Sequence, residues 1–194
     1  WLRLGGKGLS KVVPPVLSLS RIESRKKRRE KRRAKTGHAS ERGACVAGTL
    51  GRMDYLPNRI GAEWLISEVS PRLAARGFRG KISIVGARAV QALGGLAAKF
   101  PFVKVQEHLE SIEEFWEEID LLVVPHLEGA GVRIKLFEAL QSGVPVLTTP
   151  GGVEGLPLEF REAPHLMIRS DAEGWAQSLF DFESREIAEK SPQD

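Results

Sequence analysis

Between residues 42 and 183, short apolar runs alternate with stretches whose apolar residues recur at helical spacing. Ala44–Gly48 predicts a first strand, and Asn58 is placed to cap a helix in which Ala62, Leu65, Ile66, Val69 and Leu73 share one side. Ile82–Val85 predicts a strand ending at Gly86, followed by a helix over 89–98 and a strand over Phe102–Val105. Ser111 and Glu114 form a capping box for a helix through Glu118, and Leu121–Val124 reads as a buried strand closed by Pro125. A helix over 131–141 stops at Gly143. Val144–Thr148 and His165–Ile168 are the last strands, before a helix capped by Asp171. Trp64, Trp116 and Trp175 fall on amphipathic helices and read as core or interface. Strands separated by helices predict an α/β fold, a Rossmann-like doubly wound parallel sheet of about six strands. Its ligands belong at the carboxyl ends of the strands.

The flanks differ in texture. Residues 1–20 are punctuated by Gly and Pro around Pro14 and Pro15, which suits a hinge or the remnant of a preceding domain. Residues 21–41 read as a basic linker or insertion, and 184–194 as a C-terminal tail. Of the 29 Lys and Arg residues, ten lie between Arg21 and Lys35 against Glu23 and Glu30, leaving 19 basic and 23 acidic residues elsewhere. The pI of 9.4 therefore belongs to one segment and not to the folded body. A nucleic-acid-binding domain spreads positive charge over a folded face and interleaves aromatics, so no nucleic-acid partner is expected. The tract reads as a solvated linker or as a contact to an anionic membrane surface. No apolar run approaches the ~20 residues of a membrane span. Cys45 is the sole cysteine, and His38, His108, His126 and His165 are too scattered for a local metal motif, so neither disulfide nor metal is expected.

Chemistry concentrates between Leu121 and Gly155. A buried strand runs into Glu128-Gly129-Ala130-Gly131, which opens a helix. Small residues let an anion approach the backbone, where unpaired N–H groups and the helix dipole favour negative charge. The spacing alone is no fingerprint, because a third glycine is missing, and Gly5-Gly6-Lys7-Gly8 lacks the spacing of a phosphate-binding loop. Glu138 lies about 10 Å along the helix from Gly131 at ~1.5 Å per residue, the distance from a diphosphate to its ribose. Two readings are open: a carboxylate for vicinal hydroxyls, or a surface pair with Lys135 three residues earlier.

Residues 129–156, GAGVRIKLFEALQSGVPVLTTPGGVEGL, resemble the signature region of group 1 glycosyltransferases, which are retaining and of GT-B architecture. Gly48, Gly51-Arg52 and Pro57-Asn58 with Trp64 resemble the entrance of the same domain, and Ile84-Val85-Gly86 its second strand; the likeness spans Cys45 to Phe182. The resemblance implies that Glu138 grips the donor ribose. It also implies that backbone at Gly129, Ala130, Gly131 and Val132 holds the diphosphate, with Gly51 and the basic side chains of Arg52, Arg133 and Lys135. Val105–Leu109, with His108, would meet the base, and Gly151, Gly152 and Glu154 the sugar, unless that segment is a plain turn. Arg52 and Lys135 are the catalytic candidates. Two departures stand out. Ala130 occupies a position where many members carry a glutamate facing the sugar, although a subset has a small residue there. Pro57 replaces a lysine that often follows the Gly-Arg pair.

The expectation is a donor-binding domain that takes a nucleoside-diphosphate sugar for retaining transfer to an unknown acceptor, with no separate cofactor. Its acceptor face would lie in an N-terminal domain, so the chain alone would bind donor without turning it over. The expected location is cytoplasmic, peripheral at a membrane if the tract binds lipid. The rivals are a noncatalytic nucleotide-sugar-binding module, favoured by Ala130, and a nucleic-acid-associated protein led by the basic tract.

Overall fold

The computed structural model describes residues 45–127, 134–141 and 143–188. The expected hinge over 1–20 and basic linker over 21–41 lie outside the described residues, as does the Glu128–Arg133 loop. Six strands form one parallel sheet: β1 Val46–Leu50, β2 Lys81–Val85, β3 Val103–Gln106, β4 Leu121–Val124, β5 Val146–Thr148 and β6 Leu166–Ile168. Their order is β3-β2-β1-β4-β5-β6, the doubly wound arrangement whose direction of growth reverses between β1 and β4. Around the sheet lie α1 Leu56–Trp64, a π-helical turn Leu65–Val69, α2 Ser70–Ala75, α3 Ala89–Ala97, α4 Ile112–Glu118, α5 Ile134–Gln141, α6 Leu158–Arg161 and α7 Ala172–Ala188. Among the described residues no helix is long and apolar enough to cross a membrane.

Side chains alternate across the pleat, so each strand feeds two cores. Ala47, Ile82, Ile84, Leu121, Val123 and Leu147 face the layer holding Leu65, Leu73, Leu93, Trp175 and Leu179. Val46, Val85, Leu122, Val124 and Val146 face Phe115, Ile119, Leu136, Phe137 and Leu140. Trp175 is fully buried, meets Trp64 edge-on at 5.3 Å and donates its indole N–H to the Arg169 carbonyl at 3.0 Å. Gly48 lacks a side chain in mid-strand because Phe115 and Ile119 fill the space a Cβ would take.

At the amino end of the sheet, carboxylates serve the backbone. Asp120, buried just before β4, accepts from the Val46 N–H at 3.0 Å, while its own N–H donates to the Val46 carbonyl at 2.8 Å. Glu183 on α7 accepts from the Arg79 N–H at 2.9 Å, and burial pushes its carboxyl above the ordinary glutamate range.

Local caps explain most boundaries. Ser111 Oγ accepts from the Glu114 N–H at 3.2 Å, whereas the Glu114 carboxylate returns to the N–H of Glu110 at 3.1 Å. Asp171 caps α7 through the Gly174 N–H at 2.8 Å. At the end of α5, Gly143 adopts φ 65°, with Gly143 N–H donating to Leu140 and Val144 N–H to Ala139, a pairing that satisfies the last carbonyls. Several expectations shift. Val144 is consumed by that cap, so β5 starts at Val146. The first strand runs over 46–50 because Thr49 and Leu50 pair with Ile84 and Val85, a long-range ladder that carries the strand past Gly48. Asn58 does not cap α1: the helix starts at Leu56 with Pro57 in its first turn, where a missing N–H costs nothing. The last helix reaches Ala188, so its final turn enters the stretch expected as tail from 184.

Candidate functional site

The reversal between β1 and β4 splays the chain at the carboxyl ends of these strands and leaves a cleft there. It is lined by Thr49, Leu50, Gly51, Met53, Asn58, Val124, Pro125, His126 and Lys135. This is where a doubly wound sheet offers room for a ligand.

One wall is the turn after β1. Gly51 N–H donates to Val85 and Met53 N–H to Ala87, both at 2.9 Å, which seats the turn on the end of β2. Gly86 must lack a side chain, since a Cβ there would overlap the Gly51 carbonyl. Asn58 donates to the Arg52 carbonyl at 3.0 Å, so the residue expected as a cap ties down the site turn instead. The Arg52 side chain is 74% exposed and forms a fork on Asp54, Nε to Oδ1 at 3.0 Å and Nη2 to Oδ2 at 2.5 Å. Chiefly through that hydrogen bond, Asp54 is held below its usual carboxylate range and Arg52 above its ordinary value.

Lys135 enters from the first turn of α5. Leu136, Phe137, Ala139 and Leu140 are buried against the sheet, which leaves Lys135 and Glu138 half-buried at the margin. The Lys135 ammonium donates to the Leu50 carbonyl at 2.6 Å and bridges α5 to the end of β1. Glu138 follows one helical turn later.

The other wall is the end of β4 packed on the turn after β5. Thr148 Oγ1 donates to the Val124 carbonyl at 3.0 Å, and the Thr149 hydroxyl donates to the His126 carbonyl while accepting from the Gly152 N–H at 3.2 Å. Gly151 lies against the carbonyls of His126 and Leu127, and Gly152 against Thr148 Oγ1, so neither position has room for a side chain. Glu154, beyond this turn, is exposed.

The structure thus brings Gly51 and Lys135 to one cleft, with Arg52 beside it and Gly152 behind its far wall. His108 stands apart, its side chain 83% exposed on the loop after β3. Gly129, Ala130, Gly131, Val132 and Arg133 lie outside the described residues. The sequence assigned no role in this site to Asp54, Thr49, Thr149 or His126. The only local signal was the pair Thr148-Thr149 ahead of Pro150-Gly151-Gly152 at a strand end. Among the described residues no group of three or more His, Cys, Asp or Glu side chains is placed to hold a metal ion.

A six-stranded parallel sheet with a cleft at its β1/β4 switch point defines a Rossmann-like α/β protein. The profile of the family "Glycosyl transferases group 1" matches residues 44–182, most of the chain, and the chain belongs to that family. No curated protein sequence matches it. Its fold is similar to that of WaaG, a glycosyltransferase involved in lipopolysaccharide biosynthesis, with TM-score 0.61 and 20% identity over 95% of this chain and 52% of that one. A glycosyltransferase from Rickettsia africae ESF-5 gives 0.55 and 14% identity over 88% of this chain and 43% of its own. The catalytic domain of starch synthase IV from Arabidopsis thaliana, bound to ADP and acarbose, gives 0.54 and 13% identity over 85% of this chain and 36% of its own. The chain therefore spans between 36% and 52% of the length of these proteins, and at such identities the likeness concerns the fold.

Proposed function

We propose that this chain is the donor-binding part of a retaining glycosyltransferase and that its cleft takes the diphosphate of a nucleoside-diphosphate sugar. The observation that carries the reading is the Lys135 ammonium held against Leu50 at the switch point, with Gly51 alongside. A cation fixed where two strands diverge, at the first turn of a helix, suits an anion better than any other ligand class. Family membership supports the transferase class, and the Arabidopsis neighbour was captured with ADP.

In this reading the work is electrostatic. As the bond between the sugar's anomeric carbon and the diphosphate oxygen breaks, the electron pair leaves with the diphosphate. Lys135 and Arg52 lower the cost of that charge, and Glu138 accepts hydrogen bonds from the ribose hydroxyls. Turnover is proposed for a longer protein that also supplies the acceptor surface. Ala130 favours a second reading, in which the chain binds the donor without promoting transfer.

Calorimetry with uridine, guanosine and adenosine nucleotides tests the site. The expected result is tighter binding of at least one diphosphate than of its monophosphate, because each added charge meets fixed cations. Equal affinity for the two, or no binding, would remove the diphosphate site. Transfer activity of the full-length gene product separates the enzyme from the noncatalytic module.

A further inference from the structure

We infer that Thr149 is a positioning residue of the cleft: its hydroxyl sets the β4 wall, at Pro125 and His126, against the turn after β5. The inference rests on the donor-site reading and assigns a role to a residue outside the cleft lining.

Three observations meet at this side chain. It is buried, with 3% of its surface exposed. Its Oγ1 donates to the His126 carbonyl and accepts from the Gly152 N–H at 3.2 Å, so a single atom joins segments 23 residues apart. A hydroxyl is the smallest group that offers a donor and an acceptor together. The surroundings are built to that contact: Gly151 lies against the carbonyls of His126 and Leu127, and Gly152 against Thr148 Oγ1, so neither glycine has room for a side chain that would hold the two segments apart.

Gly152 N–H also donates to the Thr149 carbonyl at 3.0 Å, and that bond survives loss of the hydroxyl because it is local to the turn. The His126 carbonyl belongs to a residue that lines the cleft together with Lys135. The core beneath does not need Thr149, since Thr148 already bridges β5 to the Val124 carbonyl. Loss of the hydroxyl therefore removes this tether of the wall and leaves the Thr148 bond across the sheet in place.

The test is Thr149→Val, which keeps the shape and removes both hydrogen bonds, beside Thr149→Ser, which restores them. A third variant, Val103→Ala, truncates the edge of the other core and serves as a stability control. Each full chain is titrated by calorimetry with whichever of UDP, GDP or ADP the native protein binds, and with the matching monophosphate, well below its melting temperature. Thr149→Val is expected to lose about tenfold in diphosphate affinity, ~1.4 kcal/mol, with a smaller loss for the monophosphate. Thr149→Ser is expected to recover most of it, and Val103→Ala to bind as native despite a lower Tm. Native-like affinity and diphosphate preference in Thr149→Val would overturn the inference alone. So would equal loss in Val103→Ala, which would make the effect one of general stability. If the native chain binds none of these nucleotides, the donor-site reading fails first and takes this inference with it.

Discussion

The two ends of the sheet use the same kinds of polar residue to opposite ends. At the amino end, Asp120 and Glu183 are buried and accept from the N–H groups of Val46 and Arg79, close to where β1 and β2 begin. There the carboxylates complete the fold. At the carboxyl end, Lys135 and Arg52 sit half-buried or exposed around a cleft, Lys135 donating to the Leu50 carbonyl and Arg52 paired with the Asp54 carboxylate. Polarity that is buried and matched to backbone reports stability, whereas polarity gathered around open space at a switch point reports binding. Charge alone does not separate the two; burial and partner do.

That contrast breaks most visibly at Asp120. Asp120→Ala leaves the Val46 N–H without its acceptor in the interior, and the expected cost is about 2–3 kcal/mol. At this size that lowers Tm by roughly 5–12 °C, measured by calorimetric or circular-dichroism melting. Nucleotide affinity of the protein that remains folded is expected to be unchanged. A variant that melts as native but binds poorly would reverse the roles given to the two ends.

Glu138→Ala probes the other end. Two charge-assisted bonds to ribose predict at least about a tenfold loss of nucleotide affinity, while the change in helix propensity moves stability by only ~0.5 kcal/mol. Affinity by titration and Tm by melting are the paired readouts. Unchanged affinity in a folded variant would sink the ribose assignment and leave a helix-surface glutamate. Arg52→Ala is expected to reduce diphosphate affinity by only a few-fold, because the guanidinium is exposed and already engaged by Asp54. The loss should shrink at high salt. Asp54→Asn distinguishes a helper from a competitor: lower affinity means that Asp54 orients Arg52 for the anion, and higher affinity means that it withholds Arg52.

The smallest effect belongs to pH. Burial raises the Glu183 carboxyl above its ordinary value of 4.5, so the folded state favours the protonated form. That contribution is complete below the ordinary value and is lost as pH rises through the raised one. Glu183→Gln keeps an acceptor for the Arg79 N–H without the ionisation. Its stability relative to the native chain should therefore rise with pH across that window and level off above it, as denaturant melts at several pH values would reveal. A pH-independent difference would show that burial is not what governs this carboxyl.

Elements whose physics is local were legible in the sequence. The unbroken apolar run Leu121–Val124 and the periodicity from Ala62 to Leu73 gave sheet and helix directly, and Ser111 and Asp171 cap as their side chains require. Boundaries failed where a partner far along the chain decides them: Leu50 joins β1 only because Val85 pairs with it. The site divides the same way. Lys135 and Gly51 carried a motif, but the bond from Lys135 to Leu50 spans 85 residues and that from Thr149 to His126 spans 23, separations at which spacing says nothing. Asn58 misled because a good capping residue stood directly behind a proline, in a helix that had already opened at Leu56.

The π-helical turn at Leu65–Val69 bears on how this chain is compared with its relatives. Pro71 has no N–H to offer, and the Ser70 N–H reaches back five residues to Leu65, so the turn holds one residue more than a regular helix would. Each residue advances a helix by about 100°, and the surplus one therefore acts as a phase shift between α1 and α2. It lets Trp64 meet Trp175 while Arg72 and Arg76 both face Glu173 on the same helix, α7. Deleting Ser67 would restore a regular period and rotate one half of the helix out of its contacts. In a homologue without the turn, the gap belongs inside residues 65–69. An alignment that places it elsewhere would mispair a core position with a surface one along a whole helix.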